Sequence, residues 1–232
     1  MSAPSDFRSS NYALALELNN IGVDLLEARA YRSAMRTLRE AIQVMKNVVP
    51  STGDDVEPLP MSALTNDSLL QEAYRRLTET QSQPLSPNTE HAVELLNSLG
   101  TPLRIESSEM QSPEGGNPDT ASAVLLYNFG LVHRWAGCER QDSNLGEGAL
   151  RLFKMAFSIL SERNTLMQLD PEDMSETKLF LLIVVLNALV QLEEEMGKHS
   201  EASVWLEQLV RLGRVALDQG EEKVPASFAP AA

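Results

Sequence analysis

Apolar residues return every three or four positions through several long stretches of the chain. Leu14, Leu18, Ile21 and Leu25 form one such series, and Ala34, Leu38, Ala41 and Met45 form the next. Each series is the stripe of a helix with one buried face. A short break over residues 28–31 lies between them, so residues 11–49 are predicted to form two antiparallel helices, closed by Pro50 and Gly53. A second helical unit is expected over residues 120–163. Asp119 or Thr120 would cap its first helix, residues 137–146 would form a loop, and Asn144 with Glu147 would make a capping box for its second helix. A third unit is expected over residues 170–219. It opens on Asp170-Pro171-Glu172-Asp173, an N-cap followed by Pro and acids, and breaks at Gly197. Its last helix would run from residue 200 to Gly220. Residues 1–10 and 220–232 read as flexible tails.

Residues 50–119 carry a different pattern. They hold eight of the twelve prolines, with a heavy excess of Ser, Asp and Glu, a composition that opposes a packed core. One or two short helices are expected inside this acidic, Pro- and Ser-rich insert, over residues 68–80 and 87–99. Residues 102–105 should be extended and residues 111–119 a loop.

Composition supports the helical reading, because the apolar 43 % is mainly Leu, Ala, Val and Met and aromatics make up only 5 %. The net charge is −14. By region it is +1 over residues 1–50, −9 over 51–120 and −6 over 121–232. Such a chain repels nucleic acid and anionic lipid, so neither is an expected partner. The longest apolar run, residues 179–190, is too short for a membrane span, which takes roughly 20 residues. One cysteine, Cys138, and a start without a charged and apolar leader point to an intracellular, cytoplasmic setting.

Catalytic chemistry is sparse. His91, His133 and His199 stand on three separate segments, and no His or Cys pair has metal-ligand spacing. There is no phosphate-cradling glycine loop and no nucleophile elbow. Cys138 lies five residues from His133 in the expected loop, and the run Glu193-Glu194-Glu195 reads as a solvated helix end. No cofactor and no enzymatic activity are expected.

Small residues align the three units. Gly22 precedes Ala34, Leu38 and Ala41; Gly130 precedes Ala149, Phe153 and Ala156, with seven extra residues in the gap; Val190 precedes Ala202, Leu206 and Leu209. Two helices cross closely only where side chains are small, and large ones then interdigitate around the crossing. This pattern resembles the tetratricopeptide (TPR) family, whose repeat pairs two helices and stacks the pairs side by side. The resemblance rests on Leu18, Ile21, Gly22, Leu25, Ala34, Leu38 and Ala41 in unit one. In unit two it rests on Leu126-Tyr127-Asn128-Phe129-Gly130, Gly137, Ala149, Phe153 and Ala156, and in unit three on residues 197–202 and Leu206. It implies an all-α, TPR-like array of about three antiparallel helix hairpins with a long acidic, Pro-rich insert. Val190 and Leu209 stand where small residues are usual, which should widen the third pair. The spacings of 108 (Gly22 to Gly130) and 60 (Gly130 to Val190) are not those of a simple tandem array. Either degenerate helices fill the gaps or the long segment loops out.

The resemblance also implies a ligand surface on the first helix of each pair, the concave side. By position it includes Asn19, Val23 and Glu27; Tyr127, Leu131, Arg134 and Trp135; and Asn187, Gln191 and Glu194, with Arg134 and Trp135 as the strongest anchors. Asn19 and Val23 stand where a Lys and Asn two-carboxylate clamp would be needed, so a chaperone's acidic tail is not the expected ligand. The implied function is a non-catalytic scaffold for a protein or peptide segment. The alternatives are a structural subunit self-associating through the apolar last helix, hence a homo-oligomer, and a helical enzyme with an unrecognised site. Arg29, Arg32, Arg36, Arg39 and Lys46 form a basic stripe that either docks an acidic segment or faces water.

Overall fold

The computed structural model describes residues 4–48, 66–81, 100–105, 117–161 and 175–222. The protein is all-α, with no strand among the described residues. Its helices are α1 (Pro4–Glu27), α2 (Tyr31–Lys46), α3 (Asn66–Gln81), α4 (Pro118–Arg140), α5 (Ser143–Leu160), α6 (Glu176–Glu195) and α7 (His199–Glu222). α1 begins inside the stretch read as a tail, and α7 continues through Gly220. The expected helix over residues 87–99 lies outside the described residues.

Three hairpins, α1/α2, α4/α5 and α6/α7, stack in chain order, with α2 against α4 and α5 against α6. The first two hairpins are therefore direct neighbours despite their separation in sequence. Part of the intervening chain folds back over them: α3 packs on α1 and touches α2. Leu69 and Ala73 supply its buried face, and Arg76, 4 % exposed, bonds Thr37 Oγ1 at 2.9 Å and Glu40 at 3.0 and 3.2 Å. The insert thus supplies an arginine to α2. In the basic stripe on α2, exposed Arg36 comes only to 3.7 Å from Glu72 of α3.

The first two crossings interlock. A Cβ on Gly22 would lie 2.6 Å from Leu38 Cγ, and one on Gly130 would lie 2.5 Å from Phe153 Cε1. Leu38 and Phe153 are completely buried, as are Ala34, Ala41, Ala149 and Ala156. The seven extra residues of the second unit lengthen α4 and α5 at their shared end, and only Gln141 and Asp142 form the turn. The expected loop over residues 137–146 is thus mostly helical. Gly137 marks a close approach there: an added Cβ would meet Leu145 Cβ at 3.1 Å and the Asp142 carbonyl at 3.2 Å. The caps sit two or three residues before their expected places. Asn117 Oδ1 accepts from the Asp119 and Thr120 amides, and Asp142 Oδ1 accepts from the Asn144 amide. α6 begins at Glu176 with Ser175 as its cap, and the cap expected at Asp170 lies outside the described residues.

The third crossing is built otherwise. Ala202 is buried, but Leu206, aligned with Leu38 and Phe153, is 44 % exposed. Val190 occupies the place of the crossing glycine, so there is no crevice for a large side chain to enter. α7 instead turns Trp205, Gln208 and Leu212 inward. Trp205 meets Phe157 of α5 edge-on at 5.3 Å, with Lys154 Nζ 5.8 Å above its ring.

Candidate binding groove

Residues 100–105 run as an extended strap across α1 and α4, and asparagine side chains hold its backbone. Asn128 on α4 takes Leu103 at both ends: its Oδ1 accepts the Leu103 amide at 2.8 Å and its Nδ2 donates to the Leu103 carbonyl at 2.7 Å. Asn20 on α1 treats Ile105 the same way, at 3.0 and 2.7 Å. These asparagines are 108 residues apart, the same interval that separates the crossing glycines, so they occupy one position in two successive hairpins. They grip residues two apart, the repeat of an extended chain.

Asn19 and Tyr127, also 108 residues apart, form a second pair of rungs. Asn19 Nδ2 donates to the Leu103 carbonyl at 3.2 Å, and Tyr127 Oη donates to the Thr101 carbonyl at 3.2 Å. Asn128 Nδ2 also reaches Asn19 Oδ1 at 2.9 Å, tying the two helices together beneath the strap. Asn19 and Asn128 are completely buried and Tyr127 almost so. Burial raises the Tyr127 pKa, with nearby Arg134 opposing, which keeps the phenol a neutral donor. Buried amides of this kind are costly unless bonded, and the strap backbone satisfies them.

The strap's side chains alternate. Ile105 is buried, Leu103 is half-buried against the core, and Arg104 points to the opposite side, where it pairs with Asp24 and Glu27 of α1. Burial by itself would lower the Arg104 pKa, but its bonds to the two carboxylates outweigh that and raise it. At Gly100 the backbone turns with φ +91°, and a Cβ there would come within 2.9 Å of Tyr127 Oη.

The expected surface residues fall into two groups. Asn19, Glu27 and Tyr127 touch the strap, and Leu131 lies beneath Gly100, fully buried like Val23. Arg134, Gln191 and Glu195 join α4 to α6. The Arg134 guanidinium, 1 % exposed, bonds Glu195 at 2.6 and 3.2 Å and Gln191 at 3.2 Å. Arg134 is therefore enclosed, where the sequence reading had it facing a ligand. Trp135 is also buried, with no acceptor for its indole N–H among the described residues. Asn187 accepts from Gln191 Nε2 at 3.5 Å, and Glu194 is exposed. Glu193 departs from the expected solvated run: it is fully buried on α6 and faces Lys154 of α5 at 2.7 Å.

Asn20, Asn128, Asp24 and Arg104 were not among the sequence candidates. A signal for the asparagines exists, since Asn20-Ile21-Gly22 and Asn128-Phe129-Gly130 share an Asn two residues before the crossing glycine, while the third unit has Ala188-Leu189-Val190.

No cluster of three His, Cys, Asp or Glu residues suited to a metal occurs among the described residues. Burial raises the Cys138 pKa, aided by Glu195, the reverse of an activated thiol. No helix among the described residues is long and apolar enough to cross a membrane. Set against protein-family models, curated proteins and solved structures, the chain finds no match in any of the three.

Proposed function

We propose that this chain is a non-catalytic, TPR-like scaffold whose α1–α4 surface holds an extended polypeptide segment by its backbone. The observation carrying this reading is the pair of asparagines, Asn20 and Asn128, each bonded to both the amide and the carbonyl of one extended residue. Main-chain clamps of this type recognise conformation before sequence, the mode by which extended peptides dock on protein surfaces. Stacked hairpins with glycine-centred crossings bring the clamps to a common face, which is the reading the TPR resemblance suggests.

The test is selection of a random twelve-residue peptide display library on the full-length chain. Selected peptides should lose at least tenfold in affinity on Asn128→Ala and be indifferent to Arg151→Ala, an exposed side chain of α5. Peptides insensitive to Asn128 would remove the groove from consideration.

A second reading has its own observation. Val204, Leu206 and Val210 on α7 and Phe180 on α6 are 44–55 % exposed, an apolar surface suited to self-association. Light scattering at micromolar concentration separates the two: a dimer that Leu206→Asp with Val210→Asp dissolves supports the structural subunit, and a monomer removes it.

A further inference from the structure

The strap shows which side chains the groove accepts, and not only which backbone. Its two apolar residues, Leu103 and Ile105, face the protein on either side of Arg104, which projects to the opposite side and meets Asp24 and Glu27. Among the described residues, Arg104 is the cation these two carboxylates pair with. The rungs also fix a polarity. Ile105 sits on α1, Leu103 on α4 and the Thr101 carbonyl farther along on Tyr127, so the N-terminal side of the strap points toward α6. There the series has a next member. Asn187 follows Tyr127 by 60 residues, as Val190 follows Gly130, and its side chain bonds only Gln191 among the described residues. The strap's own backbone turns at Gly100, before reaching it.

We propose that the groove receives, from a partner protein, an extended segment of pattern apolar–basic–apolar, with its N-terminal side toward α6, and that residues 100–105 are the in-cis competitor for that place. This rests on the reading of α1 and α4 as a peptide-holding surface and names the peptide. Asn19, Asn20, Tyr127 and Asn128 direct their hydrogen bonds to the strap at its main-chain atoms, so these bonds hold the extended form whatever the side chains. Selectivity falls to the buried place of Ile105 and to the acid pair, where an acidic or neutral central residue would leave two carboxylates facing each other without a cation. A tethered segment acts at millimolar effective concentration, so the intact chain masks its own site until the strap is displaced.

The test uses full-length protein and a fluorescent ten-residue peptide with the sequence of residues 98–107. Arg104→Glu in the chain repels the strap from Asp24 and Glu27 while leaving the groove residues in place. It should bind the peptide at least tenfold more tightly than the unaltered chain does. Replacing the peptide's arginine by glutamate should abolish that binding, and adding Asn20→Ala and Asn128→Ala to the Arg104→Glu chain should do the same. Equal affinity for the two chains, or indifference to the peptide's arginine, overturns the competitor and its pattern while leaving the backbone clamp standing. Binding that survives loss of both asparagines, or no binding to any chain, overturns the clamp as well. Amide exchange gives a second readout without any substitution. Millimolar unlabelled peptide should speed exchange of the Leu103 and Ile105 amides, and unchanged exchange counts against displacement.

Discussion

The first two hairpins and the third differ in what stands at the helix crossing, and the difference extends to the surface. At Gly22 and Gly130 the first helix has no side chain, and Leu38 or Phe153 fills the space. Two residues earlier, at Asn20 and Asn128, the same helices carry the clamps for the strap. In the third hairpin Val190 and Ala188 stand at those two positions, Leu206 faces outward, and the corresponding clamp is missing. The interlocking crossing and the backbone clamp thus occur together or not at all. A helix register fixed by a glycine crossing also fixes the direction of the residue two positions before it, because successive helical residues are separated by about 100°. Precision in the core becomes precision at the groove.

The strongest way to break this contrast is truncation at aligned positions. Phe153→Ala should cost about 3–5 kcal/mol, because a fully buried ring is lost from a crossing that cannot collapse around the gap. Leu206→Ala should stay within about 0.5 kcal/mol, as for other exposed positions. Denaturant titration of both variants measures the two costs. A loss at Leu206 equal to that at Phe153 would show that the third crossing interlocks after all.

Glycine substitutions should differ in sign. Gly130→Ala places a methyl group 2.5 Å from Phe153 and should destabilise by about 1–3 kcal/mol. Gly213→Ala on α7 meets no atom within 4 Å and should stabilise by up to about 1 kcal/mol, because alanine loses less backbone entropy in a helix. Thermal melts of the two variants, one shifted down and one up, would sharpen the contrast; shifts of the same sign would dissolve it.

Much of the crossings is legible in the sequence, and most of the strap and its clamps is not. The series through Leu14 to Met45 and the glycine–alanine intervals name the helices and crossings because burial repeats with the helix period, which a linear pattern retains. The strap does not repeat. Its hydrogen bonds link Asn20 to Ile105 across 85 positions, and the extended reading of residues 102–105 carries no mark of what they lie against. The Pro- and Ser-rich composition around it reads as unpacked chain, although α3 and the strap are both packed on α1. Leu206 aligns with Leu38 and Phe153, but alignment carries a position forward without the space that buries it. Arg134 was assigned to a ligand surface because residue type cannot show that Glu195 encloses it.

The smallest expected effect concerns His133, which lies on α4 within the second hairpin, while His199 opens α7 in the third and is exposed. The His133 ring stands edge-on to Phe129 at 4.4 Å, with Nδ1 2.9 Å from the Phe129 carbonyl, and its Cδ2 would be 3.3 Å from a Cβ at Gly148. Burial lowers its pKa below the ordinary 6.5; the Phe129 carbonyl pulls the other way, and Arg39 of neighbouring α2 adds to the lowering. The unfolded chain therefore takes up the proton first as pH falls. The stabilisation that neutral His133 provides is complete above about 6.5 and is lost as pH drops through the depressed folded value. Denaturation midpoints at pH 7.5 and 5.5 should fall farther for the unaltered chain than for His133→Gln, whose amide does not titrate in that window. An equal fall in the two proteins would mean that the second hairpin does not hold its histidine in a drier place than the unfolded chain does.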